Sequence, residues 1–264
     1  MSERTATGIS GLDDLVGGGF PKGRAILVIG GPGTGKTIMC AQFLYKGIYE
    51  HEESGVFVSL DESKDHFYAE MKQFGWDFRK AEEEGKFSFI DATRMSRLAI
   101  LEEKLDKEES RSLHVRLRGK RLPIDELIKD LSAKVYHTKI ERHAFAGAQR
   151  VAVDTLAALY YRFPDPVERR TAVVDLIESL ADLGVTSVVT TELGYLGLER
   201  NVLEEEFLVH GVIMMQTLFS GGITTRAIQV EKMREAKVNP SLVPYSIDQN
   251  GIEIFPNMPL FGEK

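Results

Sequence analysis

An α/β fold, with a mostly parallel, doubly wound sheet and an antiparallel extension on its C-terminal side, is what this chain predicts from three observations. Strand-like and helix-like stretches alternate from Arg24 to Thr191. After Leu208 the helical periodicity stops and strand signals follow one another directly. At Gly30–Thr37 a glycine-rich turn joins an apolar run to an amphipathic one, as at the junction of a β-α unit.

The elements follow in order. Residues 24–29 (RAILVI) form a short apolar run suited to a buried strand. Over 35–50, Ile38, Phe43, Leu44 and Ile48 recur at helical spacing. Residues 55–60 (GVFVSL) read as a strand, 63–74 as a helix and 86–91 (KFSFID) as a third strand. Ile124, Leu127, Ile128, Leu131 and Val135 make a helical stripe before a strand at 150–153. A further amphipathic helix over 168–183 stops at Gly184, and the strand at 185–191 is β-branched enough to be buried on both faces. Strands at 211–218 and 224–232 flank FSGG, and strands at 244–247 and 251–255 flank a second turn; both pairs read as hairpins.

Neither an internal repeat nor a Pro/Ser linker interrupts this rhythm, so one domain over residues 1–264 is expected. It carries a charged insertion at about 94–123, too long for an ordinary connection. The insertion is acidic over 102–109, then basic at Arg111, Arg116, Arg118, Lys120 and Arg121. Such a run is either a solvated helix and loop or a docking surface for a partner or nucleic acid, and its mixed charge favours the first.

Composition narrows the function classes. With 43% hydrophobic and 28% charged residues among 264, the chain can bury a sizeable core. Its formal net charge of -7 gives no global basic field for nucleic acid or anionic lipid. Cys40 is the single cysteine, which excludes an intrachain disulfide and fits a reducing compartment. The start, MSERTATGIS, has no apolar signal core, and no uncharged apolar run reaches membrane-spanning length. A cytoplasmic protein without a membrane partner is expected.

The chemistry is concentrated at VIGGPGTGKT. Gly30-x-x-x-x-Gly35-Lys36-Thr37 fits the phosphate-binding loop pattern, with a strand before it and a helix after it. Backbone N–H groups over Gly31, Pro32, Gly33, Thr34, Gly35, Lys36, Thr37 and Ile38 can turn inward around phosphate oxygens, except at Pro32, which has no N–H. Lys36 would add a point charge on the β- and γ-phosphates, Thr37 a hydroxyl on Mg²⁺, and the helix its positive end. A second acidic piece is expected at the end of a buried strand, and RVAVDT supplies Asp154 as a metal residue acting through water. In VSLDES, Asp61 and Glu62 follow the next strand on the same edge, where a carboxylate can activate water; a capped surface turn explains them equally well. A guanine-reading pattern is approached only by TKIE at 138–141, so ATP/ADP is the expected cofactor with Mg²⁺.

Taken together, TGISGLDDLVGGGFPKG, the phosphate loop, GVFVSLDES, QFGWDF, RVAVDTLAAL, VVTTE, VEKMRE and DQNGIEIFP resemble the KaiC-like branch of the RecA-type ATPases over nearly the whole chain. The resemblance implies a RecA-like P-loop NTPase fold and assembly into rings, usually hexamers, with ATP between subunits. It also implies that Asp61 and Glu62 act as a water-activating pair and that Thr190, Thr191 and Glu192 form a polar strand end sensing the γ-phosphate. Lys232 and Arg234 match a K-x-R that a neighbouring subunit inserts towards the γ-phosphate, on the logic of an arginine finger. The circadian-clock member of the family has two such domains, and only one fits here. Where its second domain carries phosphorylated residues, this chain reads LEEEF at 203–207, so clock-type autophosphorylation is not expected.

The leading expectation is a homo-oligomeric, slow, regulatory ATPase with an unidentified protein partner. Two alternatives are a recombinase-like DNA-binding ATPase and a nucleotide-gated scaffold that scarcely hydrolyses. Against DNA, the segment ELGYLGLERNVLEEEF sets Glu192, Glu199, Glu204, Glu205 and Glu206 against Arg200, an acidic face towards phosphates. The basic residues of the insertion keep nucleic acid in view.

Overall fold

The computed structural model describes residues 3–92, 147–193, 195–196, 199–200, 202–220 and 222–260. In chain order these are β1 (Arg4–Thr5), α1 (Leu12–Leu15), β2 (Phe20–Pro21), β3 (Ala25–Gly30), α2 (Lys36–Glu50) and β4 (Gly55–Ser59). Next come α3 (Lys64–Met71), a 3-10 turn (Lys72–Phe74), α4 (Phe78–Glu83) and β5 (Phe87–Asp91). Then follow β6 (Arg150–Asp154), α5 (Ala157–Arg162), α6 (Pro166–Asp182), β7 (Thr186–Glu192), β8 (Tyr195–Leu196), β9 (Glu199–Arg200) and α7 (Glu205–Leu208). The chain closes with β10 (Gly211–Ser220), β11 (Ile223–Met233), β12 (Val243–Asp248) and β13 (Gly251–Ile254).

Nine of these strands make one sheet in the order β13-β12-β11-β10-β3-β7-β6-β4-β5. From β10 to β5 every neighbouring pair is parallel, and β11, β12 and β13 continue the sheet antiparallel, as the sequence predicts. Period-two alternation divides the core into two layers. Along β3, Ile26 and Val28 pack with Met39, Cys40, Phe43 and Leu44 of α2. Ala25, Leu27 and Ile29 pack on the other face with Val173, Leu176, Ile177 and Leu180 of α6. Both faces are therefore covered by helix, which is why the central strands read as continuous apolar runs.

The differences from expectation have local causes. The helix predicted from residue 168 starts at Pro166, because Asp165 caps it by accepting from the N–H groups of Val167 at 2.9 Å and Glu168 at 3.0 Å. The hairpin of β10 and β11 is longer than its sequence signal, with register from Gly211↔Met233 to Ser220↔Ile223. Only Gly211 to Met215 pair with β3, so the rest of this hairpin extends past the carboxyl end of β3. The insertion at about 94–123, the stripe at 124–135 and TKIE lie outside the described residues.

Two buried polar side chains tie α2 to its neighbours. Gln42 of α2 donates to the carbonyls of Gly8 at 3.2 Å and Ile252 at 3.1 Å, and accepts from the Ile252 N–H at 2.7 Å. Arg150 is fully buried at the start of β6, paired with Glu53, donating to the Phe43 carbonyl at 2.9 Å and lying 4.6 Å over the Phe43 ring. Gly47 leaves the room: a Cβ there would stand 2.3 Å from Arg150 Nε. Among the described residues no helix is long and apolar enough to cross a membrane.

Candidate active site

The parallel strands all end on one edge, and the register brings their last residues level. Gly30 ends β3 opposite Glu192 of β7, and Ser59 ends β4 opposite Asp154 of β6. The loop from Gly30 to Thr37 rises from this edge into α2. Gly35 precedes that helix at φ +93°, without a side-chain cap, and the first turn carries no acidic residue. The contrast with α6, closed off by Asp165, is direct: the first N–H groups of α2 and its positive end are left for an external acceptor. Gly31 and Gly33 border open space on the side where a side chain would stand. Thr34 is buried, whereas Pro32 is exposed and Ile38 packs its side chain on the α2 layer of the core.

Lys36 folds back over the loop, its Nζ donating to the carbonyls of Gly30 at 2.8 Å and Gly31 at 3.2 Å. These carbonyls hold the ammonium across the mouth of the loop, where a phosphate oxygen can replace them. Thr37 donates from Oγ1 to Oδ2 of Asp154 at 2.7 Å, so the two residues expected to serve a metal stand side by side. Thr190, on β7 between β3 and β6, donates to the other Asp154 oxygen. One hydroxyl and one oriented carboxylate suit Mg²⁺, which keeps most of its shell as water and phosphate oxygen. Among the described residues no cluster of three or more His, Cys, Asp or Glu forms an all-protein metal cage. Thr191 is buried beside Ile29, and Glu192 is exposed at the strand end.

Asp61 and Glu62, paired in the sequence reading, separate here. Asp61 is exposed and Glu62 half-buried. The Ser59 hydroxyl donates to the Glu62 carbonyl at 2.6 Å and accepts from its N–H at 2.9 Å, pinning the turn. Burial, with the negative charges of Glu70, Asp154 and Asp61, pushes the Glu62 carboxyl up to about 7. That value suits a group that takes a proton from water near neutrality.

Lys232 and Arg234 are not brought to this edge. Lys232 pairs across to Val212, which pairs with Leu27, and Arg234 follows the pair of Met233 with Gly211. They stand back along the strands from Gly30, Lys232 by about 10 Å and Arg234 by about 16 Å at ~3.3 Å per residue. Lys232 Nζ donates to the Glu206 carbonyl at 2.8 Å and Arg234 Nη2 to that of Phe207 at 3.4 Å. Arg24 and the imidazole of His210, which sequence reasoning missed, join them. Burial and the charges of Arg24, Arg234 and Lys232 lower the pKa of His210, marking a shared cationic corner. The Lys232 ammonium is likewise lowered, first by burial and then by Arg234. The acidic face expected around 204–206 needs correction. Glu205 and Glu206 are buried; Glu205 accepts from Tyr160 Oη at 3.0 Å and Glu206 from the Leu203 N–H at 2.8 Å.

A strand, glycine loop and helix, with the loop threonine bonded to an aspartate two strands away in a parallel sheet, define a RecA-type P-loop ATPase. The comparisons resolve the family. The model described as "ATPase: KaiC" matches residues 5–258, and the chain belongs to that family. It is 33% identical to the UPF0273 protein of Methanocaldococcus jannaschii, with 97% of each chain covered. It is 30% identical to the circadian clock oscillator protein KaiC of Synechococcus elongatus, covering 95% of this chain and 44% of that one. A crystal structure of a KaiC-like protein from Pyrococcus horikoshii superposes with a TM-score of 0.75 at 32% identity, over 97% of this chain and 100% of the other.

Proposed function

We propose that this KaiC-family ATPase is a single domain acting in the cytoplasm as a homo-oligomer, a ring of six, that slowly hydrolyses Mg-ATP between its copies. In this reading Gly31 to Ile38 hold the phosphates, Thr37 and Asp154 serve Mg²⁺, and Thr191 and Glu192 border the γ-phosphate. When bound, Mg²⁺ would supply positive charge beside the β- and γ-phosphates. Glu62, flanked by Asp61, takes a proton from the attacking water. Lys232 and Arg234 place positive charge on the γ-phosphate of the adjoining copy, where charge develops in transfer.

The observation that carries the reading is the separation of the cations from the phosphate loop. Lys232 and Arg234 lie back along the strands from the loop, which supports a reading in which they serve the site of another copy. A head-to-tail arrangement brings the two ends together and, when the rotation closes, gives a ring. Surface chemistry supports it: Phe207 is 67% exposed at the cationic end, and Phe219 and Ile223 are 75% and 69% exposed on the hairpin beyond the loop. A site completed by assembly is controlled by whatever alters the assembly, which supports a regulatory role with a protein partner.

Molecular mass in solution, measured with and without ATP and Mg²⁺, tests the proposal. A discrete closed oligomer stabilised by Mg-ATP is expected. A monomer under all conditions that still turns over ATP would overturn it.

A further inference from the structure

Tyr245 belongs to β12, in the antiparallel extension, and nothing in SLVPYSID marks it as part of a site. Its hydroxyl nevertheless donates to the Thr34 carbonyl of the phosphate loop at 2.6 Å, in a buried position. Burial raises the pKa of the phenol, so it keeps its proton and remains a donor. The same residue of the loop is fixed from within: Thr34 Oγ1 donates to the Gly31 carbonyl at 2.8 Å. Two residues along β12, Ile247 closes against the loop, its Cδ1 only 2.6 Å from where a Cβ on Gly35 would stand. Below them Gln42 binds the following strand to α2. The C-terminal hairpin is thus built against the phosphate loop.

The bond to Thr34 has a consequence one atom further on. The Thr34–Gly35 peptide is trans, so its N–H points opposite to its carbonyl. With the carbonyl held towards β12, the Gly35 N–H is turned away from β12. A hydrogen bond accepted at the carbonyl also polarises the amide and strengthens its N–H as a donor.

We propose that Tyr245 is a positioning residue for phosphate, its hydroxyl orienting and polarising the Thr34–Gly35 peptide so that the Gly35 N–H meets the nucleotide. The proposal rests on the reading of Gly30 to Thr37 as a nucleotide site. Tyr245→Phe keeps the ring and removes the donor. ADP affinity by calorimetry and the KM for ATP should weaken about five- to tenfold, the size one buried hydrogen bond supports. kcat should stay within about twofold, because the group acts on binding rather than on the chemical step.

A structural effect alone has a different signature. Thr5→Val breaks the buried pair of the Thr5 and Thr186 hydroxyls, 2.8 Å apart and remote from the loop. It should lower the melting temperature with ADP affinity unchanged. If Tyr245→Phe behaves like Thr5→Val, the proposal is overturned. Should Tyr245→Phe fail to fold, 3-fluorotyrosine at position 245 offers a stronger donor of nearly the same shape. ADP binding about twofold tighter supports the proposal, and unchanged or weaker binding overturns it. If the parent binds no ADP at all, the nucleotide reading itself fails and Tyr245 with it.

Discussion

The two ends of the central sheet differ in chemistry as sharply as they differ in position. At the carboxyl ends of the parallel strands are open glycines, an uncapped helix start, the Thr37–Asp154 pair and the raised carboxyl of Glu62. At the amino ends, Arg24, Lys232 and Arg234 form a cationic corner around His210, and burial with the neighbouring charges lowers the pKa of His210 and Lys232. The first end can hold an anion and a metal and take a proton. The second gathers the charges of Arg24, Lys232 and Arg234, with Glu235 and Glu206 nearby. The contrast teaches that the proposed phosphate site and the K-x-R lie at different levels along the same strands, and on the proposed reading a second copy of the chain unites them.

Substitutions at each end can break this contrast. The largest effect is expected at the amino end. Arg234→Ala should lower kcat about 10³-fold or more, the range of an arginine finger, while ADP affinity measured on the isolated chain stays unchanged. An unchanged kcat would leave the cationic corner with no part in hydrolysis.

At the carboxyl end, Glu62→Gln should lower kcat about 10²- to 10⁴-fold, with nucleotide still bound. In the parent, kcat/KM should rise through about pH 7 as Glu62 loses its proton, and Glu62→Gln should lack that limb. Stability follows the opposite course. The Glu62 pKa is raised from the ordinary carboxyl value of 4.5 to about 7, so its contribution is fully present below the lower value and lost as pH rises through the upper. Melting curves of the parent and Glu62→Gln should therefore diverge between those limits, in favour of the glutamine at high pH. Curves that stay parallel would remove Glu62 from consideration as the group titrating near neutrality.

A smaller effect sharpens the metal side. Thr190→Val removes the donor that orients Asp154, and Mg²⁺ dependence of turnover should shift about 10- to 100-fold to higher concentration. Titrating Mg²⁺ at saturating ATP reads it directly, and no shift would make Thr190 a structural tether only.

What the sequence revealed depended on how local each feature is. The phosphate loop was legible because strand, glycines, Lys36, Thr37 and helix are contiguous. Asp154 followed from its place at the end of a predicted strand, and the parallel sheet from the alternation of elements. Arg234 and Lys232 were legible only through family resemblance, since a strand-end K-x-R has no local signature. The distinction between Asp61 and Glu62 arises from the burial of Glu62 and the charges of Glu70 and Asp154 near it, which adjacent letters cannot express. Tyr245 reaches Thr34 across 211 positions of sequence, and Glu205 and Glu206 turn inward against an acidic surface reading. Arg150 shows the converse, a charge inside a strand that its spacing marks as buried, accommodated because Gly47 opens α2 above it.

The most direct measurement mixes two variants that fail at opposite ends. Glu62→Gln keeps an intact cationic corner, and Arg234→Ala keeps an intact water-activating end; each alone should be nearly inactive. After mixing in equal amounts with exchange of subunits, about one interface in four should join the two intact halves, with turnover restored in proportion. Recovery of ATP hydrolysis in the mixture is the result this account predicts. Turnover no greater than the sum of the separate variants, in oligomers shown to contain both, would contradict it.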